Sequence, residues 1–256
     1  MTGFFRRCIA HPLTRGMDID NPDTTALRLQ IIQSKPFLKK LYEEWYQRIA
    51  SCFPTGARVL ELGSGAGFLK SLMPNLITSE LFPTPSVELV IDAQSIALSD
   101  ASLDGIVMTD VLHHIPDSNS FFLEAARVIR VGGHIVMIEP WNTPWSRWVY
   151  THLHHEPFDP NALDWRIPSY GPLSGANGAL PWIIFHRDKT IFEKLYPQLR
   201  IESIVPFMPF AYLCSGGVSL RSLLPGWMYR FTRFLEQHTN ELSRAMFAMI
   251  ILKRIR

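Results

Sequence analysis

Val59–Leu69 reads VLELGSGAGFL. Arg58–Leu62 is a short, mostly apolar run stopped by Gly63, which predicts a buried strand. Gly67–Met73 carries the next periodic signal and predicts the start of a helix. A strand that enters a glycine loop brings backbone close to a ligand. Gly63, Gly65 and Gly67 are spaced G-x-G-x-G, whereas a dinucleotide fingerprint needs glycine at position 68, where Phe68 stands. The decisive residue is Glu61. A phosphate at a helix N-terminus is repelled by a carboxylate on the incoming strand, while a cationic ligand is attracted by it. S-adenosylmethionine, with an ammonium and a sulfonium on its methionine end, suits Glu61 beside close-approach glycines.

The rest of the chain supplies the sheet for this loop. Leu76–Leu81, Val87–Ile91, Leu103–Thr109 and His134–Glu139 read as further strands. Ser118–Val131 reads as a helix, N-capped by Asp117 or Ser118 and stopped by Gly132-Gly133. Pro36–Ser51 places Phe37, Leu41, Trp45 and Ile49 at helical spacing, after a helix over Thr24–Gln33. Lys189–Tyr196 and Pro225–His238 read as helices, Arg200–Val205 and Ala245–Ile255 as strands. Nearly continuous apolar strands alternating with helices predict a parallel sheet covered on both faces, with ligands held beyond the carboxyl ends of the strands.

Glu61-Leu-Gly63-Ser-Gly65-Ala-Gly67 resembles the first motif of class I S-adenosylmethionine-dependent methyltransferases. The match continues as an ordered series through Glu80, Asp92-Ala93, Leu103–Val107, Asp110–Ile115 and Arg127–His134. The small-molecule branch, with its quinone and sterol methyltransferases, is the most similar in character. The resemblance implies an α/β, Rossmann-like, seven-stranded and mostly parallel sheet with helices on both faces. It implies S-adenosylmethionine held by Glu61, Gly63, Gly65, Gly67, Glu80 (ribose), Asp92 and Ala93 (adenine side) and Asp110. Phe82-Pro83-Thr84-Pro85 after Glu80 reduces the second crossover to a loop. Two rivals stand beside this reading: a methyltransferase-like binding or assembly subunit without turnover, and a nucleotide-binding oxidoreductase.

One domain is expected over 1–256, with an N-terminal lid and helical segment (1–52), a cofactor core (53–140), an aromatic-rich cap after the fifth strand (141–188) and a C-terminal half-sheet (189–256). The cap holds Trp141, Trp145, Trp148, Trp165 and Trp182, five of the seven tryptophans, as a lining for an apolar substrate or as a second small core. Leu13–Asp20 is read as a lid, with Arg15 or Arg28 near the pocket.

The acceptor side rests on histidines. His114 and His154 are the expected catalytic groups, with His113, His152, His155 and Glu139 as further candidates; Glu139 either steers an acceptor or pairs with Arg147. His152 and Glu156 stand four apart, but without H-E-x-x-H order or a clear third ligand no metal is expected. A formal net charge of +2 offers nothing for nucleic acid, leaving a small-molecule or lipid-like substrate. Trp227–Phe234 mixes aromatics with Arg230 and Arg233, which suits a membrane surface or an anionic, lipid-linked acceptor. Cys8, Cys52 and Cys214 form no CxxC pair, and no apolar run is long enough for a signal peptide or a span. A cytoplasmic protein, in places peripheral to a membrane, is expected.

Overall fold

The computed structural model describes residues 11–12, 23–154, 156–168, 175–239 and 241–256. The expected lid at Leu13–Asp20, Arg15 and His155 lie outside these residues. Seven strands form one sheet: β1 Val59–Glu61, β2 Ile77–Glu80, β3 Leu89–Val90, β4 Leu103–Thr109, β5 Ile129–Pro140, β6 Leu199–Phe207 and β7 Phe247–Arg254. Their order is β3-β2-β1-β4-β5-β7-β6, and β7 runs antiparallel to both of its neighbours. The other pairings, from β3 through β5, are parallel. The expected sheet, mostly parallel and covered on both faces, is what the chain forms.

The two faces follow from the period of two along each strand. Ile135 and Met137 of β5 point into one core, and Val136 and Ile138 into the other. The first core is covered by helix α3 (Ser118–Val128) through Phe121, Phe122 and Ala125. The second is covered by α2 (Pro36–Ala50), whose Phe37, Leu41, Trp45 and Ile49 are buried as their spacing predicts. Before α2 lies α1 (Asp23–Ser34).

Two helix expectations are corrected. Only one 3-10 turn, Leu69–Ser71, forms where a helix over Gly67–Met73 is expected. Pro74 disfavours helical geometry at Met73, so the turn cannot propagate. The helix at Ser118 ends at Val128, before Gly132-Gly133; Ile129 is already extended and begins β5, as β-branched Val128, Ile129 and Val131 favour. Between β2 and β3 no helix forms, in keeping with the two prolines there.

The segment after β5 contains α4 (Pro144–Leu153), entered through a capping box between Thr143 and Ser146. It ends with a helical turn at Leu180–Trp182, a π turn at Ile183–Arg187 and α5 (Lys189–Leu195). Trp141 and Trp165 are buried in the first core. Trp145 and Trp148 stack on each other at 5.8 Å, with Trp148 half exposed. These tryptophans build structure and do not line the cleft described below. Helix α6 (Tyr229–Gln237) follows a 3-10 turn at Gly226–Met228, and a short helix at Glu241–Arg244 precedes β7.

Candidate cofactor cleft and acceptor site

The glycine loop leaves β1 with Glu61 buried at its root. Ser79 binds the loop to β2 in both directions. Its hydroxyl donates to the Glu61 carbonyl at 2.7 Å, and its backbone N–H donates to Ser64 Oγ at 3.1 Å. Gly63 has φ +64°, and a Cβ there would meet Val111 Cγ2 at 2.7 Å. At Gly67 a Cβ would meet the Ser64 carbonyl and Tyr46 Oη, both at 2.7 Å. These glycines are dictated by conformation and by close packing.

Glu80, at the end of β2, accepts the Gly65 N–H at 2.6 Å. Burial pushes Glu61 up to about 7, and the nearby Glu80 charge adds to this against a hydrogen bond with Ser64. Among the described residues Glu61 has no ion-pair partner. The loop also lacks a helix behind it, so no macrodipole favours a phosphate there. The arrangement is a buried carboxylate that lacks a cation, beside backbone that can approach a ligand closely. It fits the methionine end of S-adenosylmethionine and opposes a pyrophosphate.

Asp92 follows β3 and holds Gln94 through its backbone N–H at 2.8 Å and its side-chain amide at 3.1 Å. Ala93 packs at the edge of the first core. Asp110 closes β4 with φ +64°, a conformation that carboxamide and carboxylate residues tolerate better than most. Burial raises its pKa, opposed by the His113 charge and by Arg28 of α1. Arg28 acts on Glu80 as well, in line with its expected place near the pocket.

A cleft opens beside Asp110, lined by Tyr150, His154, Glu156, Phe158 and Tyr212 among others. Tyr150 stacks on Phe158 at 4.8 Å, and its hydroxyl donates to the Met246 carbonyl at 2.7 Å. The cleft is therefore apolar in its walls and carboxylate-bearing at its rim.

His154 lines this cleft, and His113 and His114 lie behind Glu156. His113 is fully buried, and its Nδ1 lies 2.8 Å from Glu139 Oε2. Glu139, also fully buried, accepts the N–H groups of Val111 at 2.9 Å and Leu112 at 2.7 Å. Its expected pairing with Arg147 does not occur; Arg147 binds Asn142 instead, since Glu139 faces across β4 to the turn that follows it. His114 Nδ1 lies 3.0 Å from the Gly175 carbonyl. Burial and the neighbouring His113 charge lower its pKa to about 4, so it is a weak proton acceptor at neutral pH. His113 moves upward: burial lowers it, but the carboxylates of Glu139, Glu156 and Asp110 together outweigh that burial. Glu156 lies 3.6 Å from His113 Nε2, 3.8 Å from His114 Nε2 and 3.7 Å from His154 Nδ1. Burial opposes its ionisation, but the three imidazoles hold its carboxyl below the ordinary range.

His152 stands apart, its Nδ1 on the Trp148 carbonyl of its own helix. The pairing of His152 with Glu156 along one helix fails because α4 ends at Leu153. Sequence reading missed the role of Glu139 as the hub of the turn after β4. An acidic residue ending a strand otherwise made of Ile, Val and Met is the signal that could have found it.

This fold and loop define the class I methyltransferase architecture. The comparisons agree. Residues 60–137 match the family model described as a methyltransferase domain. Over 142 residues it is 28% identical to the 2-methyl-6-phytyl-1,4-hydroquinone methyltransferase of a Synechocystis strain, covering 48% of this chain and 44% of the relative. The chain thus spans less than half the length of that curated relative. The geranyl diphosphate C-methyltransferase of Streptomyces coelicolor shares the fold with TM-score 0.53 at 11% identity, covering 96% of this chain and 89% of the other. A methyltransferase of Thermotoga maritima does so with TM-score 0.50 at 13% identity, over 91% and 94%.

Proposed function

We propose that the protein transfers the methyl group of S-adenosylmethionine to a small acceptor with an apolar, lipid-like body. The observation that carries this reading is Glu61: a buried carboxylate at the glycine loop with no cationic partner among the described residues. When bound, S-adenosylmethionine would supply an electrophilic methyl on a sulfonium, which the acceptor's nucleophilic atom would take in line as S-adenosylhomocysteine leaves with the sulfur–carbon electron pair. The chain's residues do the positioning. Glu61 neutralises the ammonium, the Gly63–Gly67 backbone admits the methionine end, and Glu80 and Asp92 hold the nucleoside. Tyr150, Phe158 and Tyr212 exclude water from the acceptor and give π-faces toward a cationic methyl donor. His154 stands at the rim, where an acceptor hydroxyl could pass its proton; His114, and still more Glu156, whose carboxyl is held below its ordinary range, are weaker bases. A titration with S-adenosylmethionine, S-adenosylhomocysteine and NAD tests the reading. Micromolar binding of the first two and none of NAD is expected, and the reverse order would overturn it.

The lipid-like body of the acceptor is supported by a surface feature. Trp227, Phe231 and Phe234 are spaced i, i+4, i+7 and lie 76%, 55% and 56% exposed, with Leu223 and Arg230 exposed beside them. The opposite side of α6 is buried through Tyr229, Thr232, Arg233 and Glu236. Aromatics with an exposed arginine suit the headgroup region of an anionic membrane. Among the described residues no helix is long and apolar enough to cross a membrane. The Synechocystis relative is named for a phytyl-bearing hydroquinone, a substrate of the kind a membrane surface would present. Sedimentation with phosphatidylglycerol vesicles should carry the protein down, and replacing Trp227 and Phe231 together by serine should abolish this. Vesicle binding that survives the double substitution would remove α6 from the contact.

A further inference from the structure

The turn after β4 and the segment after α4 bring His113, His114 and Glu156 together, and their ligating atoms lie within 4.8 Å of one another. Among the described residues, His113 Nε2 is buried and has no hydrogen-bond partner. Its separations from Glu156 Oε2, 3.6 Å, and Asp110 Oδ1, 3.9 Å, are too long for hydrogen bonds. They are close to the spacing of atoms that share an ion: tetrahedral bonds of about 2.1 Å place neighbouring ligands about 3.4 Å apart. Both imidazoles are already oriented. Nδ1 of His113 faces the Glu139 carboxylate and Nδ1 of His114 faces the Gly175 carbonyl. Each Nδ1–H donated there leaves the Nε2 lone pair aimed at Glu156. Carboxylate and carbonyl partners of this kind accompany metal-bound histidines, because they fix the tautomer and raise ligand basicity.

We propose that His113 Nε2, His114 Nε2 and the Glu156 carboxylate bind one divalent transition-metal ion, zinc by its donor set. Two imidazoles and one carboxylate leave a fourth position open, as in catalytic zinc sites. Glu156 lines the cleft with Asp110, His154 and Tyr212, so the open position would be reached from there. It would take an oxygen donor, such as the hydroxyl of a small molecule entering the cleft. The metal site stands whether or not the methyl-transfer reading does.

The test uses the full chain, stripped with a chelator and titrated with zinc alone, then with cobalt for its visible spectrum. One ion per chain is expected, and cobalt should show the intense bands of low-coordinate geometry. His114→Ala and Glu156→Gln should each weaken zinc by more than about 100-fold, and Glu139→Gln by about 10- to 100-fold through the tautomer. His113 is left intact because its ring is packed in the core. S-adenosylhomocysteine binding is measured on the same samples. Metal without nucleoside would leave this proposal standing and remove the cofactor reading; nucleoside without metal would do the opposite. No stoichiometric zinc, or zinc that ignores all three substitutions, would reduce the cluster to an imidazolium between carboxylates.

Discussion

Glu61→Gln should lose S-adenosylmethionine by about 100-fold at pH 8, while the ligand-free protein becomes more stable. The two effects share one cause. In the free protein Glu61 is buried near Glu80, and its pKa stands at about 7 against an ordinary 4.5. The raised value means that the native state holds a proton the unfolded chain has released. Stability is therefore full below pH 4.5, falls as pH rises to about 7, and stays reduced above it. The shift corresponds to roughly 3 kcal/mol as an upper figure, since one unit is about 1.4 kcal/mol. Glutamine carries no charge to desolvate, so its melting temperature should exceed that of the native chain by a few degrees at pH 8 and match it at pH 4. A charge-assisted hydrogen bond contributes about 1.5–3 kcal/mol, which sets the loss of affinity at 10- to 100-fold or somewhat more. In the native protein the affinity itself should fall about tenfold per unit of pH below 7, because the ligand's ammonium requires the ionised carboxylate. Calorimetric titration and melting at the two pH values read both effects. Unchanged affinity in the variant would show that another group receives the cationic end.

Glu61 was legible in the sequence because its chemistry is local. A carboxylate two residues before a glycine loop has the same neighbours in any fold that keeps the loop on a strand. β4 was legible for a similar reason: Leu103–Thr109 is an apolar run bounded by polar residues, and the strand occupies the same span. α2 followed from four apolar residues at helical spacing. Where two local signals competed, the reading failed. Gly132-Gly133 looked like a helix stop, yet the β-branched residues before it had already ended the helix at Val128. The periodic signal after Gly67 was real but too short to outlast Pro74. What no local signal carries is the meeting of His113 and His114 with Glu156, which is more than forty residues away in an irregular stretch beyond α4. Glu156 was visible only as a neighbour of His152, the one histidine of that group which turns away. Arg233 belongs with these failures. Its place beside Arg230 in an aromatic helix suggested a lipid-facing charge, and an offset of about 60° around the helix turns it to the buried side.

Arg233→Met should destabilise the protein by roughly 3–5 kcal/mol, or about 10 °C in melting temperature for a chain of this size. Its side chain is only 8% exposed and joins two carboxylates. Nε and Nη2 meet Glu44 of α2 at 2.9 and 2.8 Å, and Nη1 meets Glu236. Each carboxylate has further donors to satisfy. Glu44 also receives Arg48 and the Tyr229 hydroxyl, while Glu236, fully buried, receives the N–H groups of Phe210 at 2.5 Å and Ala211 at 2.6 Å. Burial alone would raise Glu44, but the hydrogen bonds from Arg233 and Tyr229 outweigh it and hold the carboxyl below its ordinary value. Removing the guanidinium leaves two carboxylates without their shared cation, and uncompensated burial of charge outweighs the packing that methionine restores. The loss should shrink in acid, where Glu44 takes up a proton. Replacing Arg233, Glu44 and Glu236 together by apolar residues should recover part of it, because the charges are then absent. Arg230→Met, one turn-position away and exposed, should stay within about 0.5 kcal/mol of the native chain. The two arginines thus separate by assay. Arg233 governs melting through the tie between α2 and α6, and Arg230 governs the salt-sensitive part of vesicle binding. Equal melting temperatures for the two variants would mean that the C-terminal helix is held by its apolar contacts alone.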